Sequence, residues 1–209
     1  TFRSVVPSLL VSSDSAPDQL TVSDVQDEIN DTFTLTASGE NINLKSYTIV
    51  EVNRHGSVRI DLMNTVRREG DSLTIDAGGG DDTLDAAGLG ASTRGTNPAG
   101  GLVEIKATDQ VAVTLIGGAG KDRLVGTPFN DILNGGEGED IYTGGEGFDQ
   151  FIDTGGENIL IENQDRDILI TDNNLVVGKM VGDGEVQILN RLDGFDRDEF
   201  HRITFDGIS

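Results

Sequence analysis

GGAGKDRLV GTPFNDILN GGEGEDIYT GGEGFDQFI DTGGENILI ENQDRDILI is residues 117–170 written in nines. The sixth place of successive blocks holds Asp122, Asp131, Asp140, Asp149, Asn158 and Asp167. The eighth holds Leu124, Leu133, Tyr142, Phe151, Leu160 and Leu169. Three blocks, Gly117–Val125, Gly135–Thr143 and Gly144–Ile152, open with paired glycines and carry another in the fourth place. Block 126–134 keeps one glycine and its Asp, and the last two blocks lose the leading glycines. Acid, glycine and large apolar residue recurring together at a fixed period is the mark of a stacked repeat.

The pattern resembles the RTX family of calcium-binding nonapeptide repeats, G-G-x-G-x-D-x-apolar-x. The regular blocks cover about a quarter of the 209 residues. The resemblance implies a calcium β-roll, in which six residues turn, three form a short strand and two repeats complete one coil. The fold class expected is therefore all-β, a right-handed parallel β-roll or β-helix solenoid with wider N-terminal coils and a small β C-terminal cap. It also implies Ca2+ as the cofactor. Each ion takes carbonyls 1 and 3 and the Asp of one loop, with carbonyls 2 and 4 and the Asp of the loop two repeats on.

Carried onto this chain, one site is Gly117, Ala119 and Asp122 with Gly136, Gly138 and Asp140. A second is Gly126, Pro128 and Asp131 with Gly145, Gly147 and Asp149. A third, Gly135, Glu137 and Asp140 with Thr154, Gly156 and Asn158, is weakened by the neutral Asn. A fourth, Gly144, Glu146 and Asp149 with Asn163, Asp165 and Asp167, lacks glycines in its second loop. About three to five ions are expected, in the extracellular affinity range of about 10⁻⁴–10⁻³ M. Asp140 serves two of these sites, so Asp140→Ala is expected to cost more than the same change at Asp122.

The physical chemistry of the repeat agrees with this. Glycine reaches backbone conformations closed to other residues, so the turn can bend tightly. The apolar eighth residue points into the coil and its strand neighbours point out. Repeats n and n+2 then stack about 4.8 Å apart, placing Asp122 over Asp140 and Asp131 over Asp149. Two bare carboxylates at that spacing repel by roughly 3–4 kcal/mol at an effective dielectric near 20. Calcium binds oxygen at about 2.3–2.6 Å, so one ion fits between two rungs. Six apolar side chains are a thin core for 54 residues, and the segment is expected to fold on binding calcium and to be disordered without it.

Composition narrows the function. Aromatics are 5% and Trp is absent, which argues against a large globular core. The net charge of −22 argues against nucleic acid and anionic membranes as partners. Residues 117–170 carry −9 and the other 155 residues −13, so charge density doubles where calcium would neutralise it. There is no Cys, hence no disulfide or thiolate chemistry. Such chains suit exoproteins that the resemblance places outside Gram-negative-type cells, secreted in one step or held at the surface. No apolar run reaches transmembrane length. Thr1 is not a start Met and Phe2–Val11 lacks the features of a signal peptide, so the chain is expected to be a piece of something larger, with flanking domains as partners.

Outside the array, residues 1–18 read as a cap or linker. Short β-branched runs at 20–22, 31–37, 47–52, 57–63 and 72–76 read as strands. Asp31-Thr32-Phe33 and Asp82-Thr83-Leu84 repeat the acid, any residue, large apolar order of Asp122-Arg123-Leu124. Residues 19–116 are therefore expected to be wider parallel coils, with an independent antiparallel sandwich over 20–76 as the alternative. AGGGDDTLD (77–85) is one further repeat, with Ala77 in the first glycine place. Asp82 and Asp122 are 40 residues apart, not a multiple of nine. If Ala86–Gly101 is a surface insertion within one enlarged turn, loop 77–82 stacks on loop 117–122 and a calcium bridges Asp82 and Asp122. Residues 171–209 read as a β cap covering the last rung, with a secretion signal or partner contact as the alternative.

Other chemistry is poorly supported. Gly120-Lys121 lacks the earlier Gly and following Ser/Thr of a phosphate loop. No EF-hand loop and no H-E-x-x-H is present, and His55 and His201 are far apart in sequence. No catalytic set is legible, so the chain is read as not an enzyme. Arg54, Arg67 and Arg68 could mark a carbohydrate face, with solvated loop charge as the plainer reading. The leading function is a calcium-binding structural module. The alternatives are a fragment of a calcium-dependent carbohydrate-active enzyme, or an adhesion module with a polysaccharide or cell-surface ligand.

Overall fold

The computed structural model describes residues 10–12, 17–25, 28–37, 47–54, 56–63, 65–90, 92–96, 101–105, 110–152, 154–155, 158–162, 167–170, 175–178 and 202–205. These are almost entirely strand and tight turn. The array begins where the period begins. β10 (Ala112–Ala119), β12 (Ile132–Glu137) and β14 (Phe148–Ile152) pair in parallel in one sheet. β11 (Arg123–Val125), β13 (Ile141–Thr143) and β15 (Ile159–Glu162) pair in parallel in another. Successive blocks thus alternate between two sheets, and blocks two apart stack.

The same alternation runs backwards past the regular nines. β6 (Ser72–Gly79) pairs in parallel with β10, and β7 (Thr83–Gly88) with β11. Gly78 lies opposite Gly118 and Leu84 opposite Leu124, so the 40-residue interval is one enlarged turn. One coil further, β2 (Gln19–Ser23) pairs in parallel with β6, and β3 (Thr32–Ala37) with β7.

Register explains the core. In one sheet Phe33, Leu84, Leu124, Tyr142 and Leu160 form a buried column. In the other, Val22, Ile75, Leu115, Leu133 and Phe151 stand in line. All but the partly buried Val22, which packs against them, belong to one apolar cluster, and the Tyr142 and Phe151 rings meet edge to face at 5.7 Å. Each fully buried side chain of this size contributes about 2 kcal/mol. The columns are built from the eighth place of each block, which is why that place is apolar.

Three segments depart from a stack of parallel coils. β4 (Tyr47–Arg54) and β5 (Gly56–Met63) pair antiparallel, and β4 pairs antiparallel with β3. The expectation of wider parallel coils is thus overturned over 47–63. Only His55 separates the two strands, too short a connection for a parallel crossover, which needs a dozen residues or more. The hairpin still buries Val50, Val52 and Leu62 on the common core. β1 (Leu10–Ser12) adds in parallel beyond β5.

The insertion after β7 contains β8 (Thr93–Thr96), paired antiparallel with β9 (Leu102–Ile105) in a sheet of its own. The third departure is at the C-terminal end. β16 (Asp167–Ile170) does not stack on β14, because β17 (Leu175–Gly178) lies between them, antiparallel to both. Block 162–170 has no glycine to bend its turn into another coil. Of residues 171–209, the described ones are β17 and β18 (Arg202–Phe205), the latter parallel to β15.

Candidate metal centre

The turns that join the two sheets carry the acids. Among the described residues, turns 77–82, 117–122 and 135–140, with Asp31 before β3 and Asn158 before β15, lie between the β2/β6/β10/β12/β14 sheet and its partner. They lie along one edge of the roll. Turns 126–131 and 144–149 lead back along the other edge.

Along the first edge each rung is tied to the next through its acid. The N–H of Asp31 donates to Asp82 Oδ1 at 2.7 Å, that of Asp82 to Asp122 Oδ1 at 2.8 Å, and that of Asp122 to Asp140 Oδ1 at 2.8 Å. Asp140 donates in turn to Asn158 Oδ1 at 2.7 Å. On the second edge Asp131 N–H donates to Asp149 Oδ1 at 3.0 Å. All seven side chains are buried.

Oδ1 of Asp82, Asp122, Asp140 and Asp149 is thereby used, and Asp131 Oδ2 accepts from the N–H and hydroxyl of Thr127. Oδ2 of Asp82, Oδ2 of Asp122 and Oδ1 of Asp131 are buried without a hydrogen-bond donor. Asp71, equally buried, shows what a metal-free carboxylate looks like in this fold: its two oxygens accept the N–H groups of Asp18 and Val66. A buried anion without such donors is costly unless it is protonated or meets a cation.

The titration of the ladder reflects that cost. Burial raises Asp82, Asp131 and Asp140 from 3.8 to about 6. Backbone N–H groups oppose the rise at Asp82 and Asp140, and the Thr127 side chain opposes it at Asp131. Asp122 is pushed to about 7 by burial, with the charges of Asp140, Asp82 and Asp81 adding to it.

Backbone oxygens complete the donor set. Gly118 and Gly138 have φ of +113° and +129°, open to glycine and unfavourable for other residues. A Cβ on Gly118 would strike the carbonyl oxygen of Gly78, and one on Gly138 that of Gly120. The carbonyls of one turn are thus packed against the next turn. Among the described residues no group of three or more His, Cys, Asp or Glu side chains forms a metal cluster by itself. What the turns offer is carbonyl and carboxylate oxygen, the donor set of a hard divalent cation such as calcium.

A family model of the RTX calcium-binding nonapeptide repeat matches the chain in four copies, over residues 74–88 and 116–151. This chain carries RTX calcium-binding repeats. No curated protein and no solved structure matches it. The matched segments span the turns with Asp82, Asp122, Asp131, Asp140 and Asp149 and stop short of the block that holds Asn158.

Within the RTX repeats, register fixes which residues meet. Gly118 and Ala119 pair with Gly136 and Glu137, bringing Gly117, Ala119 and Asp122 beside Gly136, Gly138 and Asp140. Turn 126–131 lies on turn 144–149. The Gly126 N–H donates to Thr143 O, and a Cβ on Gly145 would meet Thr127 O. This brings Gly126, Pro128 and Asp131 beside Gly145, Gly147 and Asp149. Turn 135–140 lies on 153–158: Gly138 N–H donates to Gly155 O and Thr154 N–H to Gly136 O. Gly135, Glu137 and Asp140 there meet Thr154 and Asn158, while Gly156 lies outside the described residues. Asp82 reaches Asp122 as the enlarged turn requires.

The fourth expected set is not assembled. Asp149 and Ile168 lie opposite Val177 from its two sides, so a full strand separates Gly144, Glu146 and Asp149 from Asp167. Asn163 and Asp165 lie outside the described residues.

Exchanging Gly138 for Ala is expected to cost at least ~2 kcal/mol, since left-handed backbone strain alone is about 1–2 kcal/mol per residue and the Gly120 carbonyl must also move. Gly155→Ala is the control, because a Cβ there meets nothing within 4 Å. Thermal unfolding of both variants in excess calcium checks this; equal midpoints would contradict it.

Arg67 is a site residue that sequence reading misplaced. Its guanidinium is bonded to the fold rather than simply solvated. From the 3₁₀ turn η1 (Arg67–Glu69), Nη2 donates to Val111 O at 3.1 Å and Nη1 to Asn130 O at 3.2 Å. The guanidinium sits 4.7 Å from the centroid of the Phe129 ring. Burial lowers its pKa, against the pull of Asp131 and Asp149. Arg67 is thus a fixed cation beside the second ladder. Arg67→Met is expected to cost about 2–4 kcal/mol, from charge-assisted hydrogen bonds and a cation–π contact. A thermal midpoint unchanged in calcium would refute the assignment. Arg68 is exposed, the Arg54 side chain is outside the described residues, and so are His55 and His201.

Lys121, beside the rejected phosphate loop, forms an exposed ion pair with Glu139 of the next coil.

Proposed function

We propose that this chain is a calcium-binding structural module of a secreted or cell-surface RTX protein, which orders and stiffens when it meets Ca2+ outside the cell. The observation that carries the reading is the ladder of buried acids, each tied to its neighbour by one oxygen, with second oxygens of Asp82, Asp122 and Asp131 lacking donors. Calcium supplies positive charge and six to eight oxygen coordination places. The residues proposed to hold it are Asp82 with Asp122, Asp122 with Asp140, Asp131 with Asp149, and Asp140 with Asn158. The carbonyls of Gly117, Ala119, Gly126, Pro128, Gly135 and Glu137 on one side, and of Gly136, Gly138, Gly145 and Gly147 on the other, complete the sites.

The chain's own part is to bring glycine turns to the rung spacing as it orders and to bury an apolar column beneath them. The RTX repeat is a structural calcium-binding unit, and the proposed role is mechanical rather than catalytic. RTX repeat proteins are typically secreted by Gram-negative bacteria, and the net charge of −22 suits a chain that stays open until calcium is abundant. Among the described residues no helix is long and apolar enough to cross a membrane.

Equilibrium dialysis against labelled calcium tests the proposal. Binding of about three to five ions per chain at millimolar calcium, without competition from equal magnesium, is the expected result. Magnesium demands a smaller octahedral site than these turns offer. No bound calcium at 10 mM would overturn the assignment.

A further inference from the structure

One side chain of the buried columns ends in a polar group. The eighth place of the nines holds Leu or Phe in every block but one, where it is Tyr142. Tyr142 is fully buried, and a buried hydroxyl is costly unless it is hydrogen-bonded. Its partners lie across the core, in the other sheet. The N–H of Gly135 in β12 donates to the hydroxyl oxygen at 2.9 Å, and that oxygen lies 3.2 Å from the carbonyl of Ile152 in β14. The pairing of β12 with β14 ends at Asn134 opposite Ile152, where the chain leaves the sheet. Tyr142 thus takes up two backbone groups where the ladder of strand bonds stops, and ties turn 135–140 to the end of β14 from the inside.

The same hydroxyl reaches the ladder of acids. The side chain of Asp140 is in hydrogen-bond contact with Tyr142. A Cβ on Gly135 would strike both the Tyr142 hydroxyl oxygen and Asp140 Oδ2, so a glycine is what lets the two come together. The hydroxyl has one proton and two acceptors in reach, the Ile152 carbonyl and the Asp140 carboxylate. A bond to a carboxylate is about twice as strong as one to a neutral carbonyl, so the ionised Asp140 draws the proton. This rung is also where the charge of the ladder runs out, since Asp140 has Asp122 on one side and the neutral Asn158 on the other. A hydroxyl donor there fixes the carboxylate without adding charge, as the Thr127 hydroxyl does for Asp131 on the second edge.

We propose that Tyr142 is a positioning residue for calcium at Asp140: its hydroxyl reaches through the core to hold the carboxylate in place and to lock turn 135–140 onto β14. The inference rests on the reading of the chain as a calcium-binding module. It gives the one tyrosine of the columns a task that the leucines in the same place do not have.

The test is a double-mutant cycle on the calcium concentration at half-folding of the whole chain, read by circular dichroism. Tyr142→Phe keeps the ring and its edge contact with Phe151 and removes the hydroxyl. Alone it is expected to raise the midpoint about threefold. Added to Asp140→Asn it is expected to raise it by less than about 1.5-fold, because the carboxylate through which it acts is gone. Added to Asp131→Asn, on the opposite edge, it is expected to give the full rise of about threefold. An equal rise in all three backgrounds, or no rise in any, would overturn the positioning role. A second readout leaves Tyr142 in place. In Tyr47→Phe, Tyr142 is the remaining tyrosine. Its absorption band is expected to move to longer wavelength as calcium folds the chain, and to move less when Asp140→Asn is added. The same shift with and without the Asp140 carboxylate would also overturn the role. A wild type that binds no calcium would instead overturn the module reading on which it rests.

Discussion

Calcium-stripped protein is expected to lose its β-sheet circular dichroism at pH 7.5 and to keep it at pH 5. Protons and calcium compete for the same buried oxygens. Burial raises Asp31, Asp82, Asp131 and Asp140 from 3.8 to about 6 in the fold, and Asp122 to about 7. A raised folded pKa means that the fold holds these protons more tightly than the open chain does. Its contribution is fully present below about 4, the value in the open chain, and is lost as pH rises through about 6 to 7.

Moving one carboxyl from 3.8 to about 6 costs the ionised fold about 3 kcal/mol, and several such groups together cost on the order of 10 kcal/mol. That matches the whole stability of a typical domain. Above pH 7 a cation must offset the penalty. With millimolar calcium present the spectrum should be the same at both pH values. Stripped protein that is equally folded, or equally unfolded, at pH 5 and 7.5 would contradict this account.

The parts of this molecule that follow one local rule were legible in the sequence. The nine-residue period places Asp122, Asp131, Asp140 and Asp149 in turns and Leu124, Leu133, Tyr142 and Phe151 inside, and all eight are buried in the fold. The period is legible because each rung solves the same problem with the same residues. Where the problem is solved differently, the signal fades. Asp31 joins the ladder from a stretch with no glycine, so only the order Asp31-Thr32-Phe33 pointed to it.

The strands of β4 and β5 were legible but their direction was not, since β-branched alternation is the same in parallel and antiparallel sheets. The single-residue link at His55 was the available clue. Arg67 could not be placed, because its partners Val111, Phe129 and Asn130 lie 44 to 63 residues away. The expected stacking of Asp167 on Asp149 failed because β17 lies on the edge of β14, antiparallel to it and to β16.

Replacing Asp122 by Asn should raise the calcium concentration at half-folding more than replacing Asp140 by Asn. Sequence alone favours the opposite order, since it puts Asp140 in two sites of the regular array and makes the Asp82–Asp122 site conditional on one enlarged turn. In the structure Asp122 is the rung with a carboxylate on either side, Asp82 before it and Asp140 after it. Asp140 has Asp122 on one side and the neutral Asn158 on the other. Asn at either position keeps an oxygen to accept the preceding N–H, so the comparison isolates the loss of charge from the loss of a hydrogen bond. Asp122→Asn removes an anionic ligand from two fully acidic sites, and Asp140→Asn from one such site and one weak one. The midpoint is expected to rise at least about tenfold for Asp122→Asn, equivalent to about 1.4 kcal/mol, and by less for Asp140→Asn. Glu139→Gln, exposed and outside the ladder, should move it little. A larger rise at Asp140 would mean that the Asp82 rung holds no ion, and that the calcium ladder is confined to the regular nines.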